Sequence, residues 1–299
     1  MSDSMDSLQH KMHTAEDLKS VVRTMKAIAA GSITQYNNAV LSLDDYYRTV
    51  RLGLTACFVN HEIYPPVWTD KHNNTRIFIV FGSDQGLVGQ FNQHMQAFIK
   101  EQDLKHKKES ANSNTLLWTV GERIRAGLVS AQFNCTNNFK LPNSIDTITA
   151  LVSDILQELE AYVEQHNIAD VYLFNHRPKS NSGYEPILQR LLPLDKHWQQ
   201  NIKLAQWPSN NRPQLLNAPQ ATFLALLREY LFVSIYKACA ESLASENASR
   251  LTAMQRAENN IDELQEKLHR TFHHLRQTGI DEELFDLVGG FEALSNRSN

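Results

Sequence analysis

The feature that most constrains this chain is an apolar stripe near its start. Residues 8–59 contain no proline, and glycine occurs there only at Gly31 and Gly53. Steps of three and four residues predict a long helix with one narrow apolar seam, as in a coiled coil. The stripe comprises Leu8, Met12, Ala15, Leu18, Val22, Met25, Ala29, Ile33, Tyr36, Val40, Leu43, Tyr47, Val50 and Leu54.

A second stripe of the same kind lies near the other end of the chain. No proline follows Pro219, and the first glycine after it is Gly279. Two helices that each carry one apolar seam can bury both seams by packing against each other. Because a domain lies between them in the sequence, we expect the coiled coil to be antiparallel. We therefore expect shaft helices at 1–60 and 220–295. The second stripe comprises Met254, Ala257, Ile261, Leu264, Leu268, Phe272 and Leu275.

Short apolar runs alternate with helical patterns between the two stripes. The runs at 76–81, 115–120 and 170–175 read as strands, and 88–102, 122–131 and 142–166 read as helices. This alternation predicts a Rossmann-like α/β domain with a parallel sheet at 75–195, to which 184–194 adds a further strand. Residues 196–219, rich in Pro, Asn and Gln, are expected to form a linker.

Composition excludes several classes of protein. With 29 basic and 33 acidic side chains, the net charge of −4 argues against a nucleic-acid binder. Three cysteines form no disulfide framework, and the N-terminus has no apolar signal region. The longest apolar stretch, 222–240, is interrupted by Arg228, Glu229 and Lys237, so no membrane span is expected and we expect an intracellular protein.

A glycine turn at residues 82–89 (GSDQGLVG) follows the first predicted strand. Phosphate loops occupy this position in α/β domains, but the spacing here fits neither the dinucleotide fingerprint nor the Walker pattern. We expect a structural turn and keep nucleotide binding as the alternative.

A pair of histidines, His269 and His273, stands one helical turn apart. That spacing can bind zinc, but Arg270 replaces the glutamate of the metalloprotease motif and no third ligand is evident. A solvated helix face is the expectation, with a metal site as the alternative.

Small residues crowd the second helix between 241 and 254, at Ala244, Ala248 and Ala253. They predict a closely packed section of the coiled coil. Glu246 and Arg250 form an i, i+4 pair within it, worth a few tenths of a kcal/mol if exposed.

Four stretches, in order along the chain, resemble the γ subunit of F-type ATP synthases. Residues 24–30 (TMKAIAA) and 81–92 (FGSDQGLVGQFN) look like two of its motifs. Residues 241–254 (ESLASENASRLTAM) and the ending at 276–290, with RQ, IDEEL and VGG, look like the other two. The resemblance spans almost the whole chain and identifies it as a member of a divergent branch of this family.

The resemblance implies a non-catalytic rotor subunit. Its coiled coil would enter the hexamer of α and β subunits, and its globular end would meet the ε subunit and the membrane c-ring. Rotation would couple ion flow to ATP synthesis or hydrolysis. Nucleotides bind on the hexamer, so the resemblance implies no cofactor, no metal and no direct nucleotide binding on this chain. It also implies a peripheral location on the cytoplasmic face of a bacterial-type membrane.

The resemblance assigns subunit-coupling contacts to Met25, Lys26, Arg276 and Gln277. Met25 matches a shaft position near the lever of the β subunit, and Arg276 with Gln277 matches the pair that engages a β-subunit catch loop. Arginine suits this role because it forms charge-assisted bonds with carboxylates. The alternatives are plain seam packing for Met25 and a solvated charge for Arg276.

Some positions depart from the family pattern. Gln85 and Val88 stand where the family carries Arg and Cys, and residues 1–59, usually basic, hold six basic and six acidic side chains. An unrelated coiled-coil adaptor or scaffold with an α/β head remains the alternative function.

Overall fold

The computed structural model describes residues 4–60, 75–109, 114–165, 168, 170–179, 183–194, 198, 202, 207–211, 214–216 and 218–295. The chain divides into two compact units. The terminal unit consists of Met1–Ile28 and Leu251–Asn299, and the central unit is Ala29–Arg250.

Two long helices, as the stripes predict, begin and end the described chain. Helix α1 spans Met5–Asn60 and helix α5 spans Pro219–Ser295, so each contributes to both units. The Ser4 hydroxyl caps α1 by accepting a hydrogen bond from the Ser7 backbone N–H. Pro219 opens α5 at the first helical position, where the N–H that proline lacks is not needed.

In the terminal unit, α1 and α5 run antiparallel. Lys19 contacts Asp262 at 2.5 Å, and Lys26 contacts Gln255 at 3.1 Å, so residue numbers rise on one helix as they fall on the other. Leu8, Ala15 and Met254 are buried in this unit. The predicted antiparallel pairing is confirmed here.

The same two helices also run antiparallel inside the central unit. The Lys237 ammonium lies 2.9 Å from the Asp44 carboxylate, and the Tyr46 hydroxyl donates to Glu229 at 2.6 Å. Buried apolar side chains from both helices fill the space between them and join the core beneath the sheet. Among them are Tyr36, Val50, Leu54, Leu231, Cys239 and Ala240.

A five-stranded sheet forms the rest of the central unit, in the order β3-β2-β1-β4-β5. The strands are β1 (Thr75–Phe81), β2 (Asn114–Val120), β3 (Cys135–Phe139), β4 (Asp170–Pro178) and β5 (Tyr184–Leu192). The helices between them are α2 (Phe91–Glu109), α3 (Glu122–Ser130) and α4 (Ile145–Gln165). The predicted α/β domain between two long helices is confirmed.

Each face of the sheet has its own core. On one face Phe78, Val80 and Phe174 pack with Met95 of α2 and Ile124 of α3. The opposite face carries the alternate strand residues, which pack with α4 and with the α1 and α5 segments of this unit. Strands β1, β2 and β4 are therefore buried and largely apolar on both sides, as expected for parallel strands covered by helices.

Two details of the sheet differ from the sequence expectation. Strand β3 was not predicted, because three of its five residues (CTNNF) are polar and the strand is half exposed at the sheet edge, where it pairs only with β2 among the described strands. Strand β5 was predicted, but it is antiparallel to β4 rather than parallel. Lys179 and Gly183 close the β4–β5 connection with a backbone hydrogen bond, and so short a connection can join only antiparallel strands.

The proposed division into shaft, α/β domain and linker remains a prediction. Of the predicted linker 196–219, the positions outside 198, 202, 207–211, 214–216 and 218–219 lie outside the described residues.

Candidate functional site

The glycine turn at 82–89 packs tightly on its neighbours within the central unit. A Cβ at Gly82 would approach Ile124 of α3 to 2.2 Å, so only glycine fits. The Asn92 side chain accepts a hydrogen bond from the Ser83 backbone N–H at 3.1 Å. The first glycine of the turn therefore serves close packing of α3, as expected for a structural turn.

Asp84 of this turn ties together two other segments. Its carboxylate accepts a hydrogen bond from the Glu122 backbone N–H at 2.8 Å and another from the Leu141 backbone N–H at 3.3 Å. The first bond caps α3, where no side chain of the preceding residue, Gly121, is available. An anionic group at a helix N-terminus is also stabilised by the helix dipole.

The turn docks directly on the 241–254 segment of α5. The Ser249 hydroxyl donates to the Val88 carbonyl at 2.6 Å and lies 3.1 Å from the Tyr184 hydroxyl. Gly89 has φ +57°, and a Cβ there would lie 3.5 Å from the Ser249 oxygen. Two motifs that are far apart in the sequence thus form one contact.

A buried ion pair lies beside this contact. The Arg250 guanidinium donates to the Glu246 carboxylate at 2.5 Å and to the Asn247 side chain at 3.0 Å. The Glu246 side chain is only 4% exposed. Burial raises the pKa of Glu246 to about 7; the Arg250 charge and hydrogen bond lower it, and the Asp84 charge adds to the rise.

A second buried carboxylate, Glu241, joins α5 to strand β4. It accepts hydrogen bonds from the Asn175 side chain at 3.2 Å and from the Arg177 guanidinium at 3.3 Å. Residues 241–247 are buried on every side of the helix. The predicted close packing is present, but strand β4 and the glycine turn cover this helix in addition to α1, which the pattern of small residues did not indicate.

The predicted coupling residue Lys26 lies in the terminal unit among other charges. Its ammonium contacts the Glu258 carboxylate at 2.5 Å and the Gln255 side chain at 3.1 Å. Arg23 binds the other Glu258 oxygen at 2.8 Å. Hydrogen bonds from Lys26 and Arg23 lower the pKa of Glu258 to about 2.

These residues belong to a polar seam cluster, in which charged and amide side chains of α1 and α5 bridge the two helices. Lys19 completes it by contacting Asp262 at 2.5 Å and Gln265 at 3.4 Å. The cluster consists of Lys19, Arg23, Lys26, Gln255, Glu258, Asp262 and Gln265.

The cluster was missed because the apolar stripes assign the seam to other residues. Leu18 and Leu264 were placed in the seam, but they are 52% and 48% exposed, whereas Glu258 is buried. Spacings of three and four among the basic residues of α1 and among the acidic and amide residues of α5 could have indicated it.

The other three predicted coupling residues lie in the same unit. Met25 is half-buried, and Arg276 and Gln277 are exposed. Lys26 meets α5 at Glu258, and the eighteen residues from there to Arg276 cover about 27 Å of helix. The structure therefore does not bring the two predicted pairs into contact.

The predicted histidine pair and the long helices bear on metal and membrane binding. His269 and His273 are both exposed, and within the ranges described above no three His, Cys, Asp or Glu side chains could hold a metal ion. None of the helices in that part of the chain is both long and apolar enough to cross a bilayer.

Comparison with known proteins gives one family over nearly the whole chain. The ATP synthase family model matches residues 4–294. The ATP synthase gamma chain of Bdellovibrio bacteriovorus is 26% identical over 302 residues, 97% of this chain and 99% of the relative. That of Bacteroides fragilis (strain ATCC 25285) is 27% identical over 294 residues, 96% of this chain and 98% of the relative.

Solved structures show the same fold. A chain of the Euglena gracilis mitochondrial ATP synthase rotor is similar with a TM-score of 0.66 and 13% identity, covering 92% of this chain and 98% of that one. A chain of the Tetrahymena thermophila mitochondrial central stalk and c-ring is similar with a TM-score of 0.54 and 19% identity, covering 79% and 99%.

Long terminal helices around a mixed sheet, with these matches, define a subunit of a rotary ATP synthase. The chain belongs to the ATP synthase family, and its relatives named above are gamma chains. A gamma chain is a non-catalytic, peripheral subunit of that complex.

Proposed function

We propose that this chain is the central-stalk rotor that couples ion flow through a membrane ring to ATP synthesis or hydrolysis by rotation. The observation that carries the proposal is the family match over residues 4–294. Its partners in this proposal are the α and β subunits of the catalytic hexamer, the ε subunit and the c-ring. The complex would stand on the cytoplasmic face of a bacterial-type membrane.

The helix pair of the terminal unit suits the part that turns inside the hexamer. A rotor must resist twisting. In the antiparallel pair, Lys19, Arg23 and Lys26 of α1 form ion pairs with acidic side chains of α5. A rotor must also present different faces to its neighbours, because only differential contact energy can shift their open and closed populations. The four proposed segments are a shaft at 1–60, an α/β domain at 75–195, a linker at 196–219 and a second shaft at 220–295.

The four proposed subunit-coupling residues differ in how far their side chains are exposed to solvent. Arg276 and Gln277 are exposed and are proposed to contact a β-subunit loop, with the guanidinium binding a carboxylate. Met25 is half-buried and is proposed to contact the lever of the β subunit through its exposed part. The ammonium of Lys26 is already bonded to Glu258, so we propose that Lys26 supports the neighbouring contact surface.

Affinity purification of the full-length tagged chain from its own cells tests the proposal. We expect the α, β and ε subunits and the c subunit to co-purify in one complex, with ATP hydrolysis that rotates a bead attached to this chain. Recovery of the chain with neither hexamer nor c subunit would overturn the proposal. A stable homodimer through the helix seams would instead support the adaptor alternative, although that seam is filled within one chain by contacts such as Lys19–Asp262.

A further inference from the structure

The two oxygens of the buried Glu246 carboxyl group differ in their hydrogen bonding. One oxygen accepts a hydrogen bond from the Arg250 guanidinium at 2.5 Å. The other oxygen, Oε2, is fully buried and has no hydrogen-bond partner in the part of the chain that the structure describes. Desolvation of Oε2 disfavours the charged carboxylate, whereas the hydrogen bond and charge of Arg250 favour it.

An exposed pair on the same helix shows what burial changes. Glu266 and Arg270 have the same i, i+4 spacing and the same 2.5 Å distance as Glu246 and Arg250. The Glu266 side chain is 65% exposed, however, and that of Glu246 is 4% exposed. The two glutamates thus differ in solvent access, while their arginine contacts match.

Charged and titratable groups face Glu246 from three elements. Arg250 and Cys239 lie on its own helix, Asp84 lies on the glycine turn, and Tyr36 lies on α1. Asp84 repels the charged form, and its position is fixed by the backbone N–H groups of Glu122 and Leu141. Arg250 is the one cation among these four groups, and the combined effect of burial and Asp84 outweighs it, so the pKa of Glu246 rises to about 7.

The glycine turn is joined to the same face of the helix. Ser249, which holds the Val88 carbonyl, lies three residues after Glu246 and so occupies a neighbouring position on the helix surface. Glu246 therefore lies on the part of the helix surface that holds the turn.

We propose that Glu246 is a proton-binding site and that loss of its proton loosens the glycine turn at 82–89 from helix α5. In the protonated form the carboxyl group is neutral and is not repelled by Asp84. Release of the proton to solvent leaves a buried anion whose Oε2 is unpaired among the described residues, and Asp84 repels this anion. Opening of the turn then admits water, which relieves both effects. The inference goes beyond the proposed function because it concerns the isolated chain.

The first test is a direct titration of the carboxyl group. The full-length chain labelled with ¹³C at the glutamate side chains is followed by NMR over pH, and Glu246→Gln identifies the Glu246 resonance. We expect Glu246 to titrate near neutral pH. The Glu266 resonance, assigned through Glu266→Gln, is followed in the same spectra as the exposed reference. Titration of Glu246 at the acidic pH usual for a glutamate side chain in water would overturn the proposal.

The second test measures the turn itself by amide hydrogen exchange, corrected for the intrinsic effect of pH. For a carboxyl group that regains an ordinary pKa on opening, the opening constant rises about tenfold between about pH 6 and about pH 8. We expect that rise at residues 83–92 of the parent chain and of Glu266→Gln, but not of Glu246→Gln. A pH-independent opening in the parent chain, or an equal rise in Glu246→Gln, would refute the proposal.

A third variant keeps the proposal testable if Glu246→Gln does not fold. Asp84→Asn removes the repelling charge while an amide oxygen remains to accept the Glu122 N–H. We expect the Glu246 resonance to titrate at lower pH in this variant than in the parent chain, and an unchanged titration would contradict the assigned role of Asp84.

Discussion

The hydroxyl of Ser249 donates a 2.6 Å hydrogen bond to the backbone carbonyl of Val88, 161 residues earlier in the chain. The same hydroxyl lies 3.1 Å from that of Tyr184 on β5. A single small side chain thus links helix α5, the glycine turn and the sheet. The 82–89 and 241–254 motifs, far apart in the sequence, therefore meet at Ser249.

Ser249→Ala removes this link. The Val88 carbonyl loses its side-chain donor in a buried place, so we expect the free energy of unfolding to fall by about 1–3 kcal/mol. Urea denaturation followed by circular dichroism measures the change. Ser153→Ala is the matched control, because among the described residues that hydroxyl donates only to the Thr149 carbonyl of its own helix. A loss in Ser153→Ala equal to that in Ser249→Ala would show that the Val88 contact contributes nothing of its own.

Two glycines are expected to respond in opposite directions to alanine. Gly31 lies inside α1 with open space where a Cβ would stand, so Gly31→Ala should stabilise the chain by about 0.5–1 kcal/mol. Gly121 has φ +115°, and a Cβ there would lie 2.9 Å from the Ser83 carbonyl oxygen, so Gly121→Ala should destabilise it by about 1–3 kcal/mol. Thermal unfolding of both variants checks the pair, and a loss of stability in Gly31→Ala would contradict the helical assignment there.

The helices and four of the strands could be predicted because their signals are local. Periods of three and four residues specify α1 and α5, and short apolar runs specify strands that are buried on both faces. Strand β3 has no such signal, since backbone pairing with β2 holds an edge strand whose residues, such as Asn137 and Asn138, disfavour strands.

The candidate site was harder to predict because its contacts join distant segments. Motif resemblance indicated that 82–89 and 241–254 matter, but not that Ser249 binds Val88 or that Glu246 is buried. The buried state of Glu258 was also missed, since an apolar stripe gives no reason to place a carboxylate between helices. Its cations come from the other helix, more than two hundred residues away in the sequence.

The seam assignment can be tested with two substitutions to the same residue. Met254 and Leu264 belong to one stripe in the sequence, but Met254 is 2% exposed and Leu264 is 48% exposed. We expect Met254→Lys to cost on the order of 2–3 kcal/mol, because it buries an ammonium, and Leu264→Lys to change stability by less than about 0.5 kcal/mol. Urea denaturation of both variants measures the two changes in stability. Equal losses of stability in Met254→Lys and Leu264→Lys would show that the helices pair in another register.

Glu258 makes the helix pair of the terminal unit sensitive to acid. Its pKa is lowered from 4.5 to about 2 by hydrogen bonds from Lys26 and Arg23. A lowered carboxyl pKa gives a contribution to stability that is fully present above the unfolded value and is lost as pH falls from about 4.5 towards about 2. We expect Glu258→Gln to reduce the loss of stability over that range. The exposed Glu263 on the same helix is the control, and an equal reduction in Glu263→Gln would exclude a special role for Glu258.

The last prediction concerns Arg276 and the proposed coupling function. Arg276 is exposed in the terminal unit. Arg276→Ala should therefore leave the free energy of unfolding within about 0.5 kcal/mol of that of the parent chain. In the assembled complex we expect lower ion transport per ATP hydrolysed, since a charge-assisted contact with a carboxylate is lost. Arg270→Ala is the matched control, because Arg270 is also an exposed arginine of α5 and pairs only with the exposed Glu266 among the contacts described. Ion pumping and ATPase activity are measured together in reconstituted vesicles. If Arg276→Ala assembles normally and pumps as efficiently as Arg270→Ala, Arg276 is a solvated charge and not a coupling residue.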